Sequence, residues 1–339
     1  MRRRSYVIIG IIAFVAALSW IAVYLSTPGA PANTSFIVSP GDGVEKIIDG
    51  LMVQGFVRNR LLFKIDLKSS GLATHLQPGS YDLTGATSYE NIIARLSSGG
   101  VAASEFTLTI IEGWDLRDIK RALDAAHYAQ ADRLYGVTGS PAGPTNPTDF
   151  SSTYAFLKEK PPHLSLEGYL FPDTYRIFKD ATAEELTKIL LANFARKLSP
   201  DLQQKIVASG HTTYQVITMA SIIEKEVRGE VDKRKVSDIF WRRLKKGMAL
   251  QADSTVNYVT EKDHAAVSYD DTRNASRYNT YKYPGLPLGP IDNPGLESIR
   301  AALDPDPNPY WYFLTDTSGA VHYATTFEEH NRNKRRFLR

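Results

Sequence analysis

From Tyr6 to Leu25 the chain is uncharged and rich in Ile, Val, Ala and Leu. At ~1.5 Å rise per residue such a run crosses a ~30 Å hydrocarbon core, which predicts a single transmembrane helix over 6–25. Arg2, Arg3 and Arg4 stand directly before it. Positive charge favours the cytoplasmic side, so residues 1–5 form a cytoplasmic tail and everything from about residue 30 onward lies outside. Ala30-Pro31-Ala32 offers small residues at a cleavage site. An apolar core this long, with proline between the two alanines, fits a retained anchor better than a signal peptide.

Beyond the anchor the hydrophobic period changes from segment to segment. Phe36-Ile37-Val38 reads as a strand ended by the turn Ser39-Pro40-Gly41-Asp42-Gly43, and Val44, Ile47, Ile48 and Leu51 then recur at helical spacing. Arg58–Leu67 predicts a second helix with Leu61, Leu62 and Ile65 inward; Gly79–Leu83 predicts a strand. Thr87 and Glu90 form a capping box for a helix that buries Ile92, Ile93 and Leu96 and stops at Gly99-Gly100. These elements make a small membrane-proximal module over 33–100. A strand at Leu108–Ile111, a turn at Glu112-Gly113-Trp114 and a helix at Asp115–Leu123 repeat the order. Gly113, Leu116, Ile119 and Leu123 stand 72 positions after Gly41, Val44, Ile47 and Leu51. Gly139–Asp149 has three prolines and two glycines, so 101–149 reads as a connecting strand-helix unit followed by a linker or exposed loop. In 150–339 helices are predicted at Thr182–Leu198, capped by Thr182 with Glu185, at Tyr214–Val227 and at Lys235–Lys246. A hairpin, Trp311–Thr315 with Val321–Ala324, closes the pattern. The fold class is α+β.

Composition narrows the chemistry. About 310 residues follow the anchor, enough for two or three domains. A net charge of +3 over 339 residues gives no support for nucleic-acid binding. Cysteine is absent, which removes disulfides and thiolate metal sites, and none of the seven histidines has a partner three to five residues away. No metal or other cofactor is expected. Arg242-Arg243-Leu244-Lys245-Lys246 reads as a solvated helix face rather than a contact with anionic polymer or lipid.

Candidate chemistry lies in four segments. In Ile217–Glu226, Glu224 shares the face of Ile217, Ala220 and Ser221 beside the stripe Val216, Met219, Ala220 and Ile223. That places it at the edge of the core, where lost solvation would keep a general acid protonated near neutrality; pairing with a nearby Arg or Lys is the alternative. Glu226, about 200° round the helix from Glu224, is expected to face solvent. Glu167, in Leu164–Tyr175, is a rival acid or a structural glutamate. Gln251 and Asp253 could bind sugar hydroxyls, or Asp253 or Ser254 could simply cap a helix. Tyr278-Asn279-Thr280-Tyr281 pairs rings with an amide, as carbohydrate sites do, although aromatic loops also fill cores.

Together these segments resemble the endolytic murein transglycosylases, the YceG-like family. The likeness runs from the anchor through Phe171-Pro172-Asp173-Thr174, Ala220–Glu226, Leu250–Val256, Tyr278–Tyr281, Gly285-Leu286-Pro287 and Gly289-Pro290-Ile291 to Glu329-His330-Asn331. Phe36–Leu51 also resembles the opening of a LysM module, a small glycan-binding fold, with a spacer as the alternative. The resemblance implies a catalytic domain over 150–339 with Glu224 as general acid and then base, and with Glu167, Gln251, Asp253, Asn279 and Tyr281 binding substrate. It implies non-hydrolytic cleavage of the β-1,4 bond between N-acetylmuramic acid and N-acetylglucosamine, leaving a 1,6-anhydro end and terminating strand growth. Its partners would be peptidoglycan strands, the cytoplasmic membrane and penicillin-binding synthases. Two departures touch the motifs: Asp253-Ser254-Thr255 stands where the family usually reads Asp-Pro-Thr, and Arg277 where proline is common. A glycoside hydrolase using Glu167 or Asp253 as second carboxylate, and a wall-binding scaffold, are the rival functions.

Overall fold

The computed structural model describes residues 35–39, 41–83, 86, 88–99, 105–262 and 267–338. The span expected at 6–25 and the small-residue site at 30–32 lie outside them, as does Thr87. Among the described residues no helix is long and apolar enough to cross a membrane. The described residues form two compact units, one comprising those from Ser35 to Glu105 with Phe178–Asp180, the other those in Phe106–Ile177 and from Ala181 to Leu338.

In the smaller unit β1 (Ser35–Val38) pairs antiparallel with β2 (Gly79–Asp82), Phe36 opposite Tyr81. Phe36 and Val38 point inward on alternate positions and meet the buried faces of α1 (Val44–Val53), α2 (Arg60–Ser69) and α3 (Tyr89–Ser97). The expected face of α2 is corrected. Leu61 and Ile65 are exposed, and Phe63 and Leu67 fill the core, because the Phe63 ring packs edge-on against Tyr89 at 5.4 Å. Ser88, whose hydroxyl accepts from Asn91 N, caps α3.

The larger unit carries the second sheet, β3 (Glu105–Thr109) with β4 (Thr174–Phe178), and the helices α4 (Leu116–Ala125) and α5 (Leu134–Thr138). Leu116, Ile119 and Leu123 are wholly buried, as the spacing predicts. The Pro/Gly-rich stretch at 139–149 lies inside this unit and is tied down. Thr145 N donates to His163 O at 2.8 Å, Thr148 N to Val137 O at 2.9 Å and Ala142 N to the Tyr258 hydroxyl at 3.0 Å.

Then come α6 (Ala183–Lys197) with the expected Thr182/Glu185 capping box, and α7 (Pro200–Ser209), which the periodicity does not announce but which Ser199 caps and Pro200 opens. Next are α8 (Thr213–Glu226), α9 (Glu230–Lys245), α10 (Asp253–Thr260) and α11 (Leu296–Leu303). The hairpin β5 (Tyr312–Thr315) and β6 (Val321–Ala324) leads to α12 (Phe327–Phe337). α8 is the axis of this unit. Every residue from Val216 to Ile223 is buried, because α9, α10 and α11 all pack against it. A helix buried all round keeps its charged groups near its ends, which is where Glu224 and Glu226 emerge.

Candidate functional site

Glu224 and Glu226 leave the last turn of α8 toward different neighbours. The Glu224 carboxylate is saturated: Oε1 accepts from Lys233 Nζ at 3.0 Å, and Oε2 accepts from Gly295 N at 3.0 Å and Ser298 Oγ at 2.6 Å. Its side chain is 9% exposed and that of Lys233 is 5% exposed. The pair binds α8 to α9 and places negative charge at the N-terminus of α11, where the helix dipole favours it. Of the two environments open to Glu224 in the sequence, it occupies the ion-paired one. The packing is close. A side-chain carbon added at Gly295 would lie 2.0 Å from Glu112 Oε1. Glu112 in turn is held above the usual carboxylate range, first by burial and then by the charge of Glu224.

Glu226 is only partly exposed, where full exposure to solvent is expected, because α10 covers part of its side of α8. Its Oε1 accepts from Ser254 Oγ at 2.7 Å and Ser254 N at 3.4 Å. Burial pushes its pKa up to about 7, against the opposing pull of the Ser254 hydroxyl. The neighbouring α10 begins at Asp253, with Ala252 as an N-cap that makes no side-chain bond. Neither Asp253 nor Ser254 caps the helix. Asp253 instead accepts from the Tyr281 hydroxyl, and Ser254 serves Glu226. Gln251 stands exposed just before, in the left-handed region at φ +54°, with its N donating to Thr280 O. Thr255 Oγ1 meets Thr280 Oγ1 at 2.9 Å, locking this turn to the 279–281 loop.

Arg243 closes the inner wall of the cluster. Buried to 5% exposure, it donates through Nη1 to Leu250 O at 2.7 Å and through Nε to Trp311 O at 2.9 Å. Burial lowers its pKa, while Tyr312, Tyr281 and Glu226 pull it back up. Thr315 Oγ1 donates to Glu226 O at 3.0 Å, so the hairpin is fastened to the end of α8.

The other site residues expected from the sequence are inside the protein. Glu167 is 1% exposed and accepts from Leu116 N, Tyr258 Oη and Asn293 Nδ2 at 3.0–3.1 Å. Burial raises its pKa well above the usual range. Asn293 also donates to Trp114 O and accepts from Leu170 N, so it joins three segments in one knot. Gly168, at φ +88°, allows this approach; a Cβ there would meet Pro290 at 2.6 Å. Asn279 is wholly buried, and its side chain bonds within its own loop, donating to Thr272 O and Asn274 O and accepting from Tyr281 N. Gln251, Asp253 and Tyr281 therefore share one accessible neighbourhood with Glu226, whereas Glu167 and Asn279 brace it from behind.

Sequence reasoning missed Lys233 and Asn293, gave Ser254 only as a helix cap, and read Arg243 as part of a solvated helix face although it is buried. Their roles depend on contacts across 7 to 179 positions, which no local period carries. It also missed Asp292, a fully buried carboxyl neither of whose oxygens has a hydrogen-bond partner. Burial drives its pKa well above the usual value, with Lys225 opposing and Glu224, Glu167 and Asp115 adding to the rise. Among the described residues no group of three or more His, Cys, Asp or Glu side chains is placed to hold a metal ion.

Comparison with known proteins gives a consistent result. The YceG-like family matches residues 36–336. The endolytic murein transglycosylase of Bacillus subtilis (strain 168) is 32% identical over 310 residues, covering 89% of this chain and 84% of that protein. That of Streptococcus pneumoniae serotype 2 (strain D39) is 31% identical over 319 residues, 87% of this chain, but the match spans only 57% of that longer protein. A crystal structure of a yceG-like protein from Listeria monocytogenes superposes with a TM-score of 0.58 at 30% identity, covering 88% of this chain and 97% of that one.

Proposed function

We propose, from the premise that the chain belongs to the YceG-like family, that it is a membrane-anchored lytic transglycosylase cutting nascent peptidoglycan strands, and that Glu226 rather than Glu224 handles the proton. The family relation bears on the substrate class, through relatives that are endolytic murein transglycosylases. The choice of glutamate rests on one contrast. Glu224 is saturated by an ammonium, a backbone N–H and a hydroxyl, whereas Glu226 takes a single serine and titrates near 7 beside exposed Gln251 and Asp253. A general acid works best with a pKa near the operating pH.

In this reading the protonated Glu226 carboxyl donates to the glycosidic oxygen as the C1–O bond breaks, releasing the N-acetylglucosamine hydroxyl. The resulting carboxylate then takes the proton of the muramic C6 hydroxyl as O6 bonds to C1. The proton count balances, no water enters and a 1,6-anhydro ring results. Glu226 thus ends as it began, protonated. Ser254 holds the carboxyl in place, Arg243 limits how far its pKa rises, and the Asp253–Tyr281 pair offers a carboxylate and a phenol to sugar hydroxyls or to positive charge at C1. Glu167 and Asn279 position the loops that carry these groups. The anchor at 6–25 would confine cutting to newly made strands beside the membrane and its synthases.

The test is mass analysis of murein digested with the full-length protein in detergent. Anhydro-muramic ends, lighter by one water than reducing ends, are expected; reducing ends alone would replace this reading with hydrolysis.

A further inference from the structure

The neighbourhood of Glu226 continues past Arg243. On the far side of that guanidinium lies the Tyr312 ring, with Cζ 5.0 Å from its centre, and Arg242 lies likewise 4.5 Å from the Trp311 ring. Trp311 and Tyr312, with Lys246, Met248, Thr325, Thr326 and Phe327, line an open cavity of about 500 Å³, within the roughly 300–1,000 Å³ typical of small-ligand sites. Phe327, first residue of α12, is 60% exposed, and its ring stands 5.8 Å from that of Tyr312. His330, one turn further along α12, stacks on Tyr312 at 5.5 Å and keeps a buried Nδ1 that no protein group bonds.

We infer that this cavity is a second glycan subsite, which holds an N-acetylated sugar ring of the same strand that Glu226 cuts. The inference rests on the transglycosylase reading and extends it. Two observations point to sugar. The walls alternate aromatic faces, on which the C–H face of a pyranose packs, with the hydroxyls of Thr325 and Thr326 and the Lys246 ammonium, which suit ring hydroxyls and acyl oxygens. The cavity is also tied to the acid site: its wall residue Tyr312 packs on Arg243, which donates to Trp311 O, and β5 is bonded through Thr315 to the backbone of Glu226 itself. On this inference a strand lying across Gln251, Asp253 and Tyr281 extends to Trp311 and Phe327. His330 stacks on the wall residue Tyr312 from outside the lining, and gives the Glu329-His330-Asn331 motif a supporting role that catalysis alone does not.

The experiment uses the full-length protein in detergent micelles carrying Glu226→Gln to suppress turnover, and titrates it with peptide-free glycan strands. Adding Phe327→Ala, a change at an exposed position, is expected to weaken binding of strands of many disaccharides by about 3- to 10-fold, the span of an aromatic contact, and to leave a single disaccharide unaffected. Phe327→Tyr should restore the affinity. In the otherwise unaltered enzyme, Phe327→Ala should raise KM for long strands by a similar factor with kcat retained. Equal binding with and without the Phe327 ring overturns the subsite. So does a difference confined to strands bearing stem peptides, which would make it a peptide site, or one seen only with anionic lipid vesicles. Should the parent enzyme yield no anhydro ends while the binding difference persists, the transglycosylase reading fails and the subsite stands.

Discussion

Glu224 and Glu226 are two residues apart on one helix, yet they inhabit opposite electrostatic regimes. Glu224 sits where α8, α9 and the start of α11 converge, and every oxygen meets a donor, one of them a buried ammonium. Glu226 sits where α8 meets α10, and its partner is a single serine. A carboxylate with charged and backbone donors is bound too well to shuttle a proton, whereas one that is part-buried and lightly bonded is poised to do so. Position along a helix identifies which side chains share a face; the identity of the helices on that face decides what those side chains can do.

Four measurements would break or sharpen the contrast. Glu226→Gln should lower the rate of anhydro-end formation by about 10²- to 10⁴-fold, the usual contribution of a general acid–base, with the thermal midpoint little changed. A variant as fast as the parent would return the role to Glu224. Glu224→Gln should act on stability instead, by up to about 3–5 kcal/mol in urea unfolding, because it leaves the buried Lys233 charge only the more distant Glu297, at 3.9 Å. If it abolishes activity while leaving the urea midpoint in place, Glu224 is a participant and not a brace.

Asp292→Asn should raise stability at pH 8 by about 1.4 kcal/mol for each unit by which burial lifts the carboxyl's pKa below that pH, because an amide needs neither the proton nor the buried charge. The sign follows from its raised pKa. A carboxyl whose folded value exceeds its unfolded one contributes fully below the unfolded value, and that stability is lost as pH rises toward the folded value. The variant should therefore gain at pH 8 and little at pH 4; equal midpoints at both would show that Asp292 finds a partner in solution. Ser254→Ala should have the smallest effect. Removal of the hydroxyl that lowers the Glu226 pKa should move the alkaline fall in activity, centred near pH 7, upward by under about one unit. Movement toward lower pH would mean that Ser254 acts on Glu226 in the opposite sense. Linkage through Glu226 itself runs the same way as for Asp292, with stability declining between the ordinary glutamate value of 4.5 and about 7.

Local elements were legible from sequence because their signals are local. The Thr182/Glu185 box, the Leu116, Ile119 and Leu123 face and the Asp316 turn of the hairpin each lie within a few residues. α2 was misread because two faces of Arg60–Ser69 are apolar and only Tyr89, across the module, selects Phe63 over Leu61. Glu226 was misread for the same kind of reason. A helical wheel counts the polar side as solvent, and only α10, which returns 28 positions later, turns that side into an interior. Asn279 and Glu167 look like ligand-binding groups in sequence, since nothing local reveals that their hydrogen bonds are already satisfied by backbone and by each segment's neighbours.

The bond from Thr315 to the Glu226 carbonyl spans 89 positions. A growing chain therefore presents its acid long before it presents the hairpin that fixes the end of α8 and anchors Arg243. Until β5 has emerged and docked, Glu226 and Ser254 can meet but the wall beside them is missing. The surroundings of Glu226 are thus complete only once residues 89 positions further along have been made.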